Sequence, residues 1–124
     1  ELSTDDGTKR SSFETRYPNT SPAVVDGTVY VGSNNGKVYA LSADDGTERW
    51  SYDTGDATTA PTVIDGTVYV GSFRIGVFAL SAADGTEQWS YRTDGQRLWA
   101  PPVVVDGVAY VTTGEGTVYA LAEP

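Results

Sequence analysis

The side chains that could carry chemistry in this chain are carboxylates, hydroxyls and guanidinium groups, because it contains no cysteine, histidine or methionine. Without cysteine there is no disulfide framework, zinc cluster or thiol nucleophile. Without histidine the commonest general base and transition-metal ligand are missing. Asp44-Asp45-Gly46 resembles a calcium loop only faintly, since the alternate-position ligands are absent. We therefore predict no catalytic residue and no metal site, and interpret these aspartates as turn residues.

Most of the other aspartates recur at fixed intervals, which indicates a structural role for them. Asp26 recurs as Asp65, 39 positions on, and as Asp106 after a further 41 positions. Each is followed by glycine and lies between short runs of β-branched or aromatic residues. Asp-Gly in that setting predicts a β-hairpin with a type I′ turn. A period near forty with strand-like content predicts a stacked-repeat protein.

Each repeat contains three turn signals, and we therefore predict that it forms a four-stranded antiparallel meander. In the first copy the signals fall at positions 26–27, 34–36 and 45–46. The predicted division of the chain, twelve strands in all, is a stray fourth strand of a preceding blade (8–16, within 1–16), a first blade (17–54), a second blade (55–94) and a third blade without its fourth strand (95–124).

The central strands of the repeats contain runs in which successive residues are all apolar, as in Val29-Tyr30-Val31. A strand that is apolar on both sides is buried on both faces of its sheet. A blade of a β-propeller needs such strands, because it lies between two other blades. The alternative, a two-layer sandwich, would leave one face of each sheet polar. The fold class that we predict is thus all-β, a β-propeller of four-stranded antiparallel blades with about three blade-equivalents in the chain.

A sequence motif in two of the repeats supports the same fold. The segment from Tyr39 to Trp50, and its copy from Phe78 to Trp89, resembles the tryptophan-docking motif of pyrroloquinoline-quinone-type propeller repeats. That motif is an Ala-x-Asp, a glycine a few residues on, and a tryptophan that closes the unit. The resemblance implies that Trp50 and Trp89 wedge between adjacent blades. The chain departs from the motif at Ser11, which stands where the stray strand would carry its tryptophan, and in the third repeat, which ends before that position.

The resemblance implies two classes of function. Enzymes with these repeats bind a quinone cofactor through a stacking aromatic residue, often a pair of adjacent cysteines, and a calcium ion held by Glu, Asn and Asp. Other members are envelope assembly scaffolds, and similar repeats form sensor regions of serine/threonine-kinase-related proteins. Because this chain has no cysteine and most of its aspartates are assigned to turns, we expect no cofactor. We predict a non-catalytic scaffold or sensor domain that binds a protein, with a fragment of a quinone-dependent dehydrogenase as the alternative.

The candidate binding residues are those that differ between the copies. In a meander the turns from second to third strand and the crossovers between blades emerge on one face, and here they vary in every repeat. Arginine and tryptophan are favoured anchors in protein interfaces. The alternative is that Trp99 only packs over the next blade and that the arginines balance local charge. The predicted interaction face consists of Asn34, Asn35, Phe73, Arg74, Arg97, Trp99 and Glu115.

The charge balance limits the partners and suggests a source. Seventeen acidic residues against eight basic ones give a net charge of −9, which argues against nucleic-acid binding and against docking to anionic lipid. No apolar run approaches the length of a membrane span, so we expect no direct membrane insertion. High acidity with only two lysines favours a salt-loving, haloarchaeal source, where counter-ions screen self-repulsion. We expect an extracytoplasmic or cell-surface location.

The number of repeats also predicts self-association. Three blade-equivalents cannot close a ring, because propellers typically use about 4–8 blades. Exposed blade faces and unpaired strand edges would favour assembly. We predict a homo-oligomer, and specifically a dimer that completes a six-bladed ring by exchanging the segment 8–16 around a two-fold axis. The alternative is that the chain is a segment of a larger single-chain ring.

Overall fold

The computed structural model describes residues 12–15, 17 and 19–124. This part of the chain contains eleven β-strands and no helix, and so no helix that could cross a membrane. The first sheet consists of β1 (Ala23–Val25), β2 (Thr28–Gly32), β3 (Lys37–Ser42) and β4 (Glu48–Asp53). The second consists of β5 (Thr62–Ile64), β6 (Thr67–Ser72), β7 (Gly76–Ser81) and β8 (Glu87–Arg92). The third consists of β9 (Val103–Val105), β10 (Val108–Thr112) and β11 (Val118–Leu121).

Each sheet is a meander in which sequential strands pair antiparallel. The first hairpin pairs Val25 with Thr28 across a two-residue turn. Asp26 and Gly27 in that turn have φ values of 48° and 75°, and the same pair recurs at 65–66 (49° and 77°) and 106–107 (50° and 78°). Positive φ at both central positions is what a type I′ turn requires, so the prediction of type I′ turns is confirmed.

The turns from third to fourth strand use a different device, a hydrogen-bonded aspartate. The Asp45 carboxylate accepts hydrogen bonds from the backbone N–H of Thr47 at 3.0 Å and from its hydroxyl at 2.7 Å. Asp84 and Thr86 repeat the arrangement at 3.1 and 2.8 Å. These bonds, led by the backbone N–H, hold the pKa of both carboxyls below the usual range. The Asp45 carboxylate is therefore engaged in hydrogen bonds within its own turn.

The apolar side chains form two clusters, and each lies between two sheets. Alternate residues of the second sheet face opposite neighbours, since successive side chains of a strand point to opposite faces. On one side Val68 and Leu80 pack against the first sheet, and on the other Tyr69 and Val77 pack against the third. Val68, Val70, Val77 and Leu80 are fully buried. In the third sheet β10 and β11 instead alternate between covered and exposed residues.

These contacts make the three sheets successive blades of a β-propeller. The short strands β1, β5 and β9 contact one another from sheet to sheet, so they lie innermost. The second sheet is covered on both faces, as a blade between two blades must be. The predicted fold class is thus confirmed, and the sandwich alternative is wrong because both faces of one sheet are buried.

Trp50 joins the first blade to the second. Its indole Nε1–H donates a hydrogen bond to the carbonyl of Ala82 at 2.9 Å, and the ring is 8% exposed. The indole lies on Gly85, where an added Cβ would approach ring atom Cε3 to 2.5 Å. Gly85 also has a φ of 78°, so it meets both a steric and a conformational requirement. Trp89, 9% exposed, belongs to the cluster between the second and third blades.

A second interblade contact recurs next to the tryptophans. Tyr52 packs on Phe78 with ring centroids 5.8 Å apart, and Tyr91 packs on Tyr119 at 5.3 Å. Phe13 makes the same kind of contact with Tyr39 of the first blade, at 5.3 Å. The predicted strand at 8–16 is not formed over residues 12–15, and the remainder of that range lies outside the described residues.

The burial of the tryptophans predicts unequal costs of truncation. We expect Trp50→Ala and Trp89→Ala each to lower the free energy of unfolding by about 3–5 kcal/mol, because each leaves a cavity between blades. Trp99→Ala should cost about 1 kcal/mol or less, because Trp99 is 64% exposed and loses mainly one aromatic contact. Urea titrations of the three variants measure this. Equal losses at all three positions would contradict it.

Candidate interaction face

The candidate site is formed by loops at one end of the blades. It comprises the turns from second to third strand and the crossovers that lead into β5 and β9. Each crossover is fastened to its own blade by a single β-bridge, Thr58 to Ser72 in the second blade and Leu98 to Thr113 in the third. The backbone of Phe73 also donates to the carbonyl of Ala57 at 2.7 Å. The loops that vary in sequence are therefore held in place by backbone hydrogen bonds.

These loops enclose a groove of about 260 Å³. It lies where the crossovers into β5 and β9 approach the turns after β2 and β6. None of the side chains that line it is ionisable, so the groove itself offers no group for acid–base catalysis. The lining residues are Asn34, Ala57, Thr58, Phe73, Leu98 and Trp99.

Two aromatic rings form one wall of the groove. Phe73 and Trp99 meet edge to face, with centroids 4.8 Å apart. Trp99 remains exposed, and its indole nitrogen lies close over Gly114, where an added Cβ would approach it to 2.6 Å. Its neighbour Leu98 is 3% exposed and packs against Gly71. The crossover is thus anchored by a buried leucine while it presents a tryptophan to solvent.

Two arginines flank the groove in different electrostatic states. The Arg74 guanidinium carbon lies 5.5 Å from the centroid of the Phe73 ring, a cation–π arrangement at the rim. Arg97 forms an ion pair with Glu115, Nε to Oε2 at 2.8 Å, and its backbone N–H donates to the same carboxylate at 3.0 Å. The backbone bond and the ion pair lower the pKa of Glu115. The positive charge of Arg97 is thus balanced within the face.

The two adjacent asparagines have separate roles. Asn35 is a turn residue, because its amide donates to the Tyr39 hydroxyl at 2.8 Å and its carbonyl accepts from the backbone of Lys37 at 2.9 Å. Asn34 is exposed and lines the groove. Of the seven predicted residues, three line the groove (Asn34, Phe73 and Trp99), one lies at its rim (Arg74), two pair beside it (Arg97 and Glu115), and one supports a turn (Asn35).

Sequence reasoning missed three of the groove residues, namely Ala57, Thr58 and Leu98. The available signal was the glycine at or next to the end of β2 and β6, over which each crossover packs. An added Cβ at Gly32 would approach the Thr58 hydroxyl to 2.0 Å, and one at Gly71 would approach a Leu98 methyl to 3.1 Å. The Thr58 hydroxyl is buried without a hydrogen-bond partner among the described residues.

Comparison with known proteins identifies the family of this repeat. Residues 1–123 match the family PQQ_2, described as outer membrane protein assembly factor BamB. None of the curated proteins matched the chain.

Several solved structures share the fold. BamB from Moraxella catarrhalis is similar with a TM-score of 0.78 and 21% identity, over 92% of this chain and 36% of that one. The quinohemoprotein alcohol dehydrogenase ADHIIG from Pseudomonas putida HK5 has a TM-score of 0.76 and 30% identity, over 84% of this chain and 19% of that one. For the corresponding enzyme from Comamonas testosteroni the values are 0.75 and 28%, over 84% and 19%.

The chain spans about a third of the length of that BamB and about a fifth of the two dehydrogenases. The repeat, the interblade tryptophans and the match over residues 1–123 agree on one assignment. This chain belongs to the PQQ_2 family of β-propeller repeat proteins, the family described as outer membrane protein assembly factor BamB.

Proposed function

We propose that this chain is a non-catalytic recognition module, a scaffold or sensor domain that binds a partner protein at its interaction face. The observation that carries the proposal is the groove between the crossovers, with Phe73 and the exposed Trp99 in its wall and Arg74 at its rim. Exposed aromatic side chains held in a fixed orientation are the usual anchors of protein interfaces, because they bury a large area at low entropic cost.

The chemistry of the groove defines the partner segment that fits it. An apolar or aromatic side chain would fill the space beside Trp99, and a carboxylate next to it would pair with Arg74 at the rim. The Asn34 side chain offers an amide that can donate or accept a hydrogen bond at the same groove. The partner is therefore a polypeptide with an apolar side chain beside an acidic residue.

Family membership supports a scaffold role at the cell envelope. The family description names an outer membrane assembly factor, and BamB from Moraxella catarrhalis shares the fold. On this basis we propose an extracytoplasmic location, in which the chain binds other proteins and does not itself enter the bilayer. The high acidity of the chain fits a haloarchaeal source, where the envelope faces concentrated salt.

A second candidate function is a segment of a quinone-dependent dehydrogenase. It is favoured by the 30% identity to quinohemoprotein alcohol dehydrogenase ADHIIG, the higher of the two identities. Two features of the chain weigh against it: the groove has no carboxylate or other ionisable side chain, and the sequence has no cysteine. We therefore place it second.

Self-association is a further part of the proposal. On the third blade, alternate side chains of all three strands remain exposed, including Val103 at 61%, Tyr110 at 43% and Val118 at 67%. The corresponding face of the second blade, with Tyr69 and Val77, is covered by its neighbour. We propose that a second copy covers the third blade and that exchange of residues 1–16 completes a six-bladed ring.

The first prediction separates the two functions. With added pyrroloquinoline quinone and calcium, the purified chain should reduce no dye in the presence of alcohols or sugars, because the side chains that line the groove are not ionisable and the sequence has no cysteine. Calorimetry should detect no tight cofactor binding. A quinohemoprotein alcohol dehydrogenase in the same assay is the positive control. Cofactor-dependent turnover above background would favour the dehydrogenase.

The second prediction tests the groove. Peptides selected against the chain from a random display library should lose at least tenfold in affinity on Trp99→Ala or Phe73→Ala, since hot-spot truncations cost about 2 kcal/mol or more. Arg74→Glu should weaken peptides that carry an acidic residue. Tyr17→Ala, which removes an aromatic ring that is 56% exposed and does not line the groove, is the control. Equal binding by all variants would reject the interaction face.

The third prediction concerns assembly. Light scattering in concentrated potassium chloride should show a dimer or larger species, because a monomer would expose the apolar face of the third blade. Deletion of residues 1–16 should convert it to a monomer. A folded monomer of the intact chain would overturn self-association, and a dimer that survives the deletion would overturn strand exchange alone.

A further inference from the structure

The groove of the interaction face lies at the end of the blades, so a neighbouring blade does not cover it in a closed ring. Asn34 of the lining comes from the first blade and Phe73 from the second, while Leu98 and Trp99 come from the crossover into the third. The volume of about 260 Å³ is below the ~300–1,000 Å³ of pockets that enclose small molecules. The groove therefore fits one or two side chains of a longer segment.

The backbone around the groove is already paired within the fold. The N–H of Phe73 donates to the carbonyl of Ala57 at 2.7 Å. The N–H of Thr59 donates to the carbonyl of Gly71 at 2.8 Å. A partner that adds as a β-strand needs a row of unpaired backbone groups along one edge. Recognition at this groove must therefore rely on side chains.

The polar side chains that the groove offers are mainly hydrogen-bond donors. Trp99 is 64% exposed, and its indole N–H has no acceptor among the described residues. Arg74 at the rim can only donate, and it pairs with no carboxylate in the described part of the chain. Asn34 is the one exposed side chain here that can also accept. A matching ligand must supply acceptors and bring few donors of its own.

A proline-rich segment in the polyproline II conformation meets this requirement. Its carbonyls form no internal hydrogen bonds, and its prolines carry no N–H. Because the conformation is preformed, such a segment loses little entropy when it docks on aromatic side chains. An ordinary extended peptide brings one N–H per residue, and a saccharide brings hydroxyls that must also donate. Either of these ligands would need more acceptors than Asn34 supplies.

The distribution of charge adds an acidic residue to this ligand. Four of the five basic residues in the described part of the chain lie at this end of the blades: Lys37, Arg74, Arg92 and Arg97. The Asp-Gly turns lie at the opposite end, so the end with the groove is the less negative of the two. A carboxylate is therefore repelled least here, and Arg74 is free to pair with it.

We propose that the groove binds a proline-rich segment of a partner protein, in the polyproline II conformation, with an acidic residue next to the prolines. A proline ring packs between Phe73 and Trp99, whose edge-to-face rings form one wall. The Trp99 indole N–H donates to a carbonyl of the segment, and the carboxylate pairs with Arg74. This partner class rests on the proposed function of the same interaction face.

The probe is an acetylated and amidated peptide of four prolines followed by two aspartates. In proton–nitrogen correlation spectra it should shift the Trp99 indole signal saturably. The chain has three tryptophans, and Trp99→Phe identifies that signal by its loss. A peptide with four valines in place of the prolines should bind at least threefold more weakly. Absence of a saturable shift up to the solubility limit would overturn the proposal, as would equal or tighter binding of the valine peptide.

Two conservative variants test the hydrogen bond to the segment. Trp99→Phe keeps an aromatic ring but removes the N–H, and it should weaken the probe at least threefold. Tyr91→Phe is the matched control, because it removes one donor from a ring that is 43% exposed and does not line the groove. Its affinity should remain within twofold of the wild type. Unchanged affinity of Trp99→Phe would contradict the ligand chemistry.

Arg74→Gln tests the acidic residue. It should weaken the aspartate probe about threefold more than a probe with two asparagines in place of the aspartates, because only the former loses an ion pair at the rim. The same loss for both probes would overturn the acidic part of the partner segment.

Peptides selected from the random display library distinguish the partner class from the interaction face itself. Prolines next to an aspartate or glutamate should be enriched among peptides whose binding is lost on Trp99→Ala. Trp99-dependent peptides without proline would overturn the polyproline ligand and leave the interaction face in place. If no selected peptide depends on Trp99, both the polyproline ligand and the proposed recognition function are overturned.

Discussion

The structure depends on the need of each blade to have both of its faces covered. Its central strands are apolar on both sides, and the two faces cannot be buried within a single sheet. The second blade solves this by lying between two others, and its central side chains are almost fully buried. Trp50 fixes the spacing, because the bare surface of Gly85 lets the indole approach closely enough to bond to Ala82. Blades therefore stabilise one another, as nearest neighbours in a repeat array do.

The interaction face depends on that stacking. The crossovers into the second and third blades must pass over the end of the preceding blade, and Gly32 and Gly71, at or next to the ends of β2 and β6, leave the space for them. Leu98 uses this space as an anchor, and the anchor in turn holds Trp99 at the surface beside Phe73. Gly32 and Gly71, which recur for packing, thus help to position crossover residues that do not recur and are free to serve binding.

The sequence predicts the fold well because its signals are local and repeated. An Asp-Gly pair between β-branched runs requires a narrow range of φ values, and apolar residues at successive strand positions require two covered faces. The candidate site is predicted less well, because it depends on pairings between loops. The sequence alone does not reveal that Glu115 neutralises Arg97 or that Asn35 is bound to Tyr39, since each pairing depends on how two segments approach in space. Nor does it reveal Ala57 and Thr58, which line the groove without any distinctive chemistry.

Positions at which one blade departs from the repeat show how its packing surface differs from that of the other blades. At the end of its central strand the first blade has Gly32 and the second has Gly71, and a crossover packs directly on each. The third blade has Thr112 at this position, and its side chain is exposed. A segment that covers the third blade must therefore stay farther from β10 than Thr58 stays from Gly32, or must present a smaller residue there. The substitution thus makes the uncovered end of β10 chemically different from the covered ends of the corresponding strands in the first two blades.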